Sequence, residues 1–385
     1  MNHFLQKNKL KLGVLGGGQL GKMLIQAAID FDLHVKVLDP NPEAPCRGTA
    51  HEFHVGSLQD EASVLSFGED CDILTIEIEH VNAQALEKLQ QMGKWVYPDP
   101  KILGMVQDKR QQKAFYAKNQ LPTAAFWLVD DSDQLLNFQH KLPLVYKSAY
   151  AGYDGKGVKV LPNDFKFDAP LSFPGLVEKK VEIDKELAVI IARNPSGETV
   201  AYPPVEMVFH PEGNLVEYLI SPPDVEEAIE TKANSLAFQL VEKLNFVGLL
   251  AVEMFLTKKG EVLINEIAPR PHNSGHHTIR ANLTSQFEQH LRAILDLPLG
   301  KTELLVQGAM VNILGHPEKS GSPTYKGLEK ILKIPGVYIH LYGKAQSRPY
   351  RKMGHITILD KERQTLVEKI HLVKNAFQVE VENGR

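Results

Sequence analysis

The tightest constraint on the fold comes early, where the apolar run Lys11–Leu15 breaks into Gly16, Gly17, Gly18, Gln19, Leu20 and Gly21. A strand that ends in glycines and continues as a helix rejoins its sheet most simply as a parallel crossover. The helix shows in Leu20, Met23, Leu24, Ala27, Ala28 and Phe31 at helical spacing, and the next strand, 35–38, closes at Asp39 before a proline-rich turn. Further strands at 73–78 and 95–97 make residues 1–100 a Rossmann-like α/β unit. Gly16, Gly18 and Gly21 fit GxGxxG, with Asp39 about 20 residues on. Glycines let a backbone approach an anion at a helix N-terminus, so NAD, another phosphorylated ligand and a purely structural tight turn all stay open.

Pro98 and Pro100 end that pattern and lead into a charged helical stretch, 108–119. A mixed α+β region follows, with strands at 144–147, 158–161 and 187–192 and a helix over 225–244 carrying Ile229, Leu236, Leu240 and Leu244. A hairpin then pairs 249–256 with 261–266 across a turn at 257–260. Pro298 and Gly300 punctuate the chain before short strands at 308–314 and 355–359. The expected organisation is 1–100, then 101–300 with an inserted lid at about 121–185, then a small β-rich part, 301–385. No internal repeat or low-complexity segment is visible.

Composition removes several function classes. With 43 basic against 47 acidic side chains the net charge is −4, and no basic stripe with interleaved aromatics suggests nucleic acid. No apolar run approaches the roughly 20 residues that span a bilayer, and residues 1–9 lack a signal-peptide core, so a cytoplasmic protein is expected. Cys46 and Cys71 are not spaced as a metal or redox pair and read as ordinary thiols. The charge is uneven: from Lys301 onward 14 Lys and Arg meet 8 Asp and Glu, a local +6 that leaves −10 for the rest.

No GxxxxGK followed by Ser or Thr occurs, so a P-loop does not grip phosphate here. Lys147 ends an apolar strand, and Tyr150–Gly157 forms a glycine-bearing loop with cations beside and inside it. Such a loop can close over a triphosphate, or simply join two strands. The stretch Glu178, Lys179, Lys180, Val181 can offer backbone groups to an adenine edge, with Glu186 accepting from ribose hydroxyls; an exposed charged strand is the plainer alternative. In the hairpin, a turn at 257–260 sets Leu256 opposite Glu261 and Glu253 opposite Ile264, so Glu266 shares the face of Glu253 as a diagonal neighbour, about 7–8 Å away. Both acids interrupt strongly apolar strands, where an unpaired charge is costly. Paired carboxylates, with Asn265 as a neutral oxygen donor, suit Mg²⁺ bridging to phosphate.

The loop AGYDGKG, the acids Glu253 and Glu266 with Asn265, and above all NEIAPRPHNSGHHT resemble the ATP-grasp superfamily. With GVLGGGQLGKM, LDPNPEAPC and the late RKMGH, essentially the whole chain resembles the N5-carboxyaminoimidazole ribonucleotide synthetase family. The resemblance implies a three-domain ATP-grasp enzyme of purine biosynthesis. ATP would phosphorylate bicarbonate to carboxyphosphate, whose carboxyl passes to the exocyclic amine of 5-aminoimidazole ribonucleotide, leaving ADP and phosphate. It implies ATP contacts at Lys109, Lys147, Gly152, Tyr153, Asp154, Gly155, Lys156, Gly157, Val158, Glu178, Lys179, Lys180, Val181, Glu186, His210, Asn265 and Glu266. Glu253 and Glu266 would hold Mg²⁺, for which Mn²⁺ can substitute. Tyr153, Asp154 and Lys156 would address the aminoimidazole nucleotide, and Arg270, His272 and Asn273 the carboxyphosphate. Lys344 and Arg351 would grip the substrate's 5′-phosphate, with Lys344 also in the catalytic set, and Gln19 and the first glycine loop would face the same nucleotide, with Glu77 or Glu79 at its ribose. A homodimer is also implied.

Four positions depart from the family pattern. Lys109 replaces an Arg, Val158 a Gln, Ile183 a Phe and His277 an aromatic residue. Other ATP-grasp ligases, such as a formate-using glycinamide ribonucleotide transformylase or a biotin carboxylase relative, share the nucleotide machinery and differ in acceptor. An NAD-linked oxidoreductase built on the first 100 residues and a silent ATP-binding module are further alternatives. The HxxxH spacing of His272 and His276 suggests zinc only on a helix, and Pro269 and Pro271 argue against one there.

Overall fold

A computed structural model describes residues 10–150, 157–166, 171–211 and 215–382. β1 (Lys11–Leu15) runs through the glycine turn into α1 (Gln19–Ile29), followed by β2 (His34–Asp39), β3 (Glu52–Val55), α2 (Glu61–Glu69), β4 (Ile73–Ile76), α3 (Ala83–Gln91) and β5 (Trp95–Tyr97). The five strands form one parallel sheet in the order β3-β2-β1-β4-β5, with Leu12 beside Val35 on one side and Ile73 on the other. β1 and β4 are apolar runs because helices cover both faces. The sequence pattern misses β3, which is short and half exposed.

α4 (Pro100–Gln107) and α5 (Lys109–Lys118) meet at Asp108, whose carboxylate accepts from the Arg110 backbone N–H and starts the second helix. β6 (Phe126–Val129), α6 (Ser132–Leu136), β7 (Leu144–Ser148), β8 (Val158–Leu161) and β9 (Gly175–Lys179) then build a four-stranded antiparallel sheet, ordered β6-β9-β7-β8, over a small core of Val129, Leu135, Leu144, Tyr146, Leu161 and Val177. This sheet covers the stretch expected to form the lid and is called the lid sheet below.

The largest sheet begins with β10 (Ile183–Arg193), β11 (Thr199–Ala201), β12 (Val205–Phe209) and β13 (Val216–Ser221). After α7 (Glu227–Leu244) come β14 (Gly248–Thr257), β15 (Val262–Ala268), α8 (Thr278–Ala281) and α9 (Gln286–Ile294). The chain ends with β16 (Gln307–Leu314), β17 (Ser322–Lys326), α10 (Leu328–Ile331), β18 (Val337–Leu341), β19 (Lys352–Asp360), α11 (Arg363–Ala376) and β20 (Gln378–Glu382). Nine strands share one sheet, β15-β14-β10-β12-β13-β16-β19-β18, with β11 beside β10. It runs without a break past Pro298 and Gly300, because β13 pairs with β16. Leu236 and Leu240 of α7 pack on Leu187, Val189, Val252 and Ile264 of the sheet.

Helix α9 joins the parts. Phe287, Leu291 and Ile294 pack in one cluster with Leu12, Leu24 and Val35 of the first sheet and with Tyr342. At the same contact Thr75 Oγ1 lies 2.8 Å from His290 Nε2, both buried. Thr75→Val keeps the shape and orphans a buried ring nitrogen, so a loss of about 1–3 kcal/mol in denaturant unfolding is expected. An unchanged midpoint would remove this bond from the docking energetics.

Buried histidines line the inner side of this junction. His276 stacks on His355 at 4.6 Å and His355 on His340 at 4.4 Å, with Tyr342 Oη 3.0 Å from His355 Nδ1. Burial pushes His277 and His340 down to about 4 and His290 to about 3, and holds His276 and His355 well below the usual range. Unfolded histidines take protons below about pH 6.5 while the folded ones stay neutral, so the unfolded chain binds more protons there. The contribution of these histidines to stability is full above about pH 6.5 and falls as pH descends toward about 4. His277→Phe is expected to flatten that slope in urea unfolding; an unaltered slope would exclude His277 from the linkage.

Candidate active site

The β14–β15 hairpin places the carboxylates, but in another register than the turn rule predicts. Leu256 pairs with Val262 and Met254 with Ile264; a bulge at Asn265 then sets Glu253 directly opposite Glu266. The shared face is as expected. The facing partner of Leu256 is corrected from Glu261 to Val262 and that of Glu253 from Ile264 to Glu266: the turn sets the ladder one residue further along, and the extra residue in β15 adds a second. Directly opposed residues have Cβ atoms about 5 Å apart, so the acids are closer than a diagonal pair. On the other side of β14, Ala188 pairs with Glu253 and Glu186 with Phe255, so Glu186 projects from the same face two residues along β10.

Cations from α5 and the lid meet these acids. Lys109 Nζ lies 2.6 Å from Glu266 Oε2, and Lys147 Nζ donates to Asn265 Oδ1 at 2.8 Å. Lys147 also pairs with Glu178 at 2.9 Å, and Lys113 reaches the other oxygen of that carboxylate at 2.6 Å. Glu178 thus bridges two buried ammonium groups. Burial pushes Lys113 down to about 8 although Glu178 opposes the shift. Burial would raise Glu178, but Lys147 and Lys113 outweigh it and hold the carboxyl low. The opposed pair splits: burial, Glu266 and Glu186 push Glu253 up, whereas Lys109 and Lys147 overcome burial at Glu266 and hold it down. Burial, with Glu266 adding, lifts Glu186 to about 7.

Two opposed carboxylates and an amide oxygen form a hard, all-oxygen donor set. No Lys or Arg among the described residues forms an ion pair with Glu253, which burial and Glu266 drive toward its protonated form. Among the described residues no group of three or more His, Cys, Asp or Glu forms a closed metal cage. An ion held here completes its shell with phosphate oxygens and water, as Mg²⁺ does.

Beyond β15 the chain carries Arg270, His272 and Asn273 along the same edge. The Arg270 guanidinium pairs with Glu79 of the first unit at 2.8 Å and donates to the Pro271 carbonyl at 3.0 Å. His272 Nε2 stands 3.4 Å from Glu253 Oε1. Its Nδ1 accepts from the Ser274 backbone N–H at 3.3 Å, which assigns the ring proton to Nε2. Burial, with Arg270 and Lys352 nearby, keeps this histidine neutral. His272 precedes a single 3₁₀ turn, Asn273–Gly275, so the HxxxH spacing is not on one helix.

At the first glycine loop the anion is the chain's own. Glu77, just past β4, accepts from the Leu20 and Gly21 N–H groups at 3.1 and 3.2 Å, and Asp39 accepts from Gly17 N–H at 2.6 Å. A Cβ at Gly18 would collide with the Glu77 carboxylate. The helix N-terminus is therefore satisfied internally, which disfavours a dinucleotide pyrophosphate there. Gln19 opens α1 beside this contact.

The remaining expected residues fall in distinct places. Gly152, Tyr153, Asp154, Gly155 and Lys156 lie outside the described residues, while Gly157 and Val158 resume at the start of β8, where Val158 pairs with Lys147. Glu178 and Lys179 end β9 and Lys180 and Val181 open the link to β10, with Lys179 and Lys180 exposed. His210 follows β12, packs edge-on to Tyr350 and lines a cavity of about 700 Å³ with Asn312 and Lys374, separate from the cleft of Lys109, Lys113, Lys147, Asn265 and Glu266. Lys344 Nζ donates to the Lys352 carbonyl at 2.7 Å, and Arg351 is lowered by burial and by the neighbouring Arg348. Sequence reasoning missed Lys352, whose charge acts on Glu253, His272 and His276, and Lys113. Strand alternation beside Arg351 was the available signal for Lys352: adjacent residues of RKMGH face opposite ways.

A Rossmann-like unit, a lid sheet and a large antiparallel sheet that meet over paired carboxylates and converging lysines define an ATP-grasp ligase. Residues 9–107 match the ribonucleotide synthetase preATP-grasp domain, 114–287 the ATP-grasp domain and 308–369 the phosphoribosylaminoimidazole carboxylase C-terminal domain. The chain belongs to the N5-carboxyaminoimidazole ribonucleotide synthase family. It is 37% identical over 365 residues to the synthase of Bacillus subtilis, covering 93% of this chain and 94% of that one. The Thermotoga maritima synthetase structure superposes with a TM-score of 0.90 at 42% identity, over 97% of this chain and all of the other. The Aspergillus clavatus synthase, solved with ADP and 5-aminoimidazole ribonucleotide, gives 0.87 at 33% identity, over 96% and 98%. The chain spans about two thirds of the longer phosphoribosylaminoimidazole carboxylases, such as that of Vigna aconitifolia (38% identity over 373 residues, 94% of this chain and 66% of that one). No helix among the described residues is long and apolar enough to cross a membrane.

Proposed function

We propose that this chain uses ATP to carboxylate 5-aminoimidazole ribonucleotide with bicarbonate, forming N5-carboxyaminoimidazole ribonucleotide, ADP and phosphate in purine biosynthesis. The observation that carries this is one continuous edge: the opposed Glu253 and Glu266, then Arg270, His272 and Asn273, flanked by Lys109 and Lys147. ATP would lie between the lid sheet and β10, its adenine at Glu178–Val181 and its ribose at Glu186. Mg²⁺, or Mn²⁺ in its place, would be held by Glu253 and Glu266 with Asn265 near, and when bound it neutralises triphosphate charge.

A bicarbonate oxygen attacks the γ-phosphorus as the bond to the β,γ-bridging oxygen breaks and ADP leaves. The C–O bond to phosphate then breaks and the carboxyl carbon, directly or as CO₂, forms a C–N bond to the aminoimidazole amine, which gives up a proton. Carboxyphosphate is a labile anion, so the site must offer fixed donors and exclude water. Arg270 supplies guanidinium N–H groups, neutral His272 its Nε2–H, and Asn273 an amide N–H. Phosphate release should require ATP, bicarbonate, the aminoimidazole nucleotide and Mg²⁺ together; release that persists when the nucleotide acceptor is omitted, with no carboxylated product, would reject the assignment.

The substrate's 5′-phosphate would sit at Lys344 and Arg351, supported by the closeness of Arg348, whose charge acts on Arg351. Arg351→Ala is expected to raise the KM for the aminoimidazole nucleotide about tenfold or more and leave that for ATP within about twofold. An unchanged nucleotide KM would remove the grip. The three matched regions support a division at 1–100, 101–300 and 301–385, and the proposal includes a cytoplasmic homodimer, which sedimentation would register as twice the chain mass.

A further inference from the structure

We propose that Asn312, on β16, is a positioning residue that decides which edge of Asn273 faces the reacting carboxyphosphate. This rests on the function proposed above. Asn312 is 7% exposed, and its side chain forms a reciprocal amide pair with Asn273: each Nδ2 donates to the other's Oδ1 at 3.0 Å. Two such amides could both be flipped and still pair, so the pair alone does not fix a polarity. The third contact does. Asn312 Nδ2 also donates to the Val216 carbonyl at 2.7 Å, and a carbonyl can only accept. Both hydrogens of Asn312 Nδ2 are thereby assigned, which forces Oδ1 of Asn273 onto Asn312 and leaves Asn273 one amide N–H to offer.

The consequence is electrostatic. An anion beside Asn273 meets a donor; were the amide flipped, it would meet a carbonyl oxygen and be repelled. The backbone at this point is held by something else. Gln286, fully buried at the start of α9, accepts from His272 N–H at 2.9 Å and donates to the His272 carbonyl at 2.8 Å. Loss of Asn312 therefore frees the Asn273 side chain while the loop keeps its anchor. The sheet that runs on past residue 300 thus has a role in the chemistry, since β16 and β13 together supply the polarity.

Asn312→Leu is expected to lower kcat/KM for bicarbonate about 10- to 100-fold, with the ATP KM within about twofold and more than one phosphate released per carboxylated product. In an Asn273→Ala background the same substitution should cost less than about twofold, because the residue it orients is gone. Asn312→Ser, which fills less space and keeps one donor, should fall between wild type and Leu, and carries the test if the Leu variant does not fold. Losses that are parallel for ATP and bicarbonate, or undiminished in the Asn273→Ala background, would make Asn312 a core residue and overturn the proposal. Wild-type phosphate release that ignores bicarbonate would instead overturn the parent function, and this proposal with it.

Discussion

Glu266→Gln is expected to lower ATP-dependent phosphate release by about a thousandfold, several kcal/mol at the transition state, without unfolding the protein. The fold should survive because the charges still balance. Lys109 now pairs with Glu266 at 2.6 Å and also lies within the field of Glu253. With Gln at 266, Glu253 loses its like-charged neighbour and becomes the counterion of Lys109. The hairpin keeps its apolar ladder of Met254 with Ile264 and Leu256 with Val262. Activity has no such compensation, since the variant keeps only one of the two opposed carboxylates and a neutral amide binds and neutralises a hard divalent ion far less well. Initial rates measured beside a thermal unfolding curve separate the two effects. Wild-type turnover would refute the metal role of the pair, and a collapse in stability would show that Glu266 serves the fold first.

The second large effect is on stability. Glu178→Gln removes the one carboxylate among the described residues that contacts both Lys113 and Lys147, at 2.6 and 2.9 Å, and all three side chains are buried. Breaking a buried ion cluster by removing one partner costs about 3–5 kcal/mol, because uncompensated charge remains inside. Lys113 would respond by releasing its proton, as it already titrates near 8. An unfolded lysine holds its proton to about 10.4, so between the two values the unfolded chain binds more protons and stability rises with pH. The variant should therefore recover part of its loss as pH climbs from about 7 to about 10, more steeply than wild type. Equal loss at every pH would mean that lost packing, and not the lysine charge, sets the cost. Orientation of Lys147 is lost as well, so the ATP KM should rise in the same variant.

The glycine turn, the hairpin and the positions of its acids were legible in sequence because they depend on local periodicity. What depended on long-range register was not. A one-residue change of register at the turn and one bulged residue, Asn265, together turned a diagonal acid pair into an opposed one, and no local rule places a bulge. The helix N-terminus after Gly18 looked like a ligand site because its filler, Glu77, comes from just past β4, more than 50 residues away. Lys109 carried an ATP role in sequence, whereas the fold sets its ammonium on Glu266. Arg270 was read as an anion receptor, and the structure adds its partner Glu79 from the first unit. Lys113 and Asn312 gave no signal at all, since a lysine on a charged helix and an asparagine in an apolar strand become informative only when Glu178 and Asn273 are seen against them.

The most direct measurement follows the oxygen atoms. If bicarbonate is phosphorylated and its carboxyl then passes to the amine, the C–O bond breaks and one bicarbonate oxygen leaves on inorganic phosphate. With ¹⁸O-labelled bicarbonate, ATP, Mg²⁺ and aminoimidazole ribonucleotide, one labelled oxygen per phosphate is predicted, in step with carboxylated product. Phosphate that acquires its new oxygen from water alone would contradict phosphorylation of bicarbonate at the Arg270, His272 and Asn273 edge.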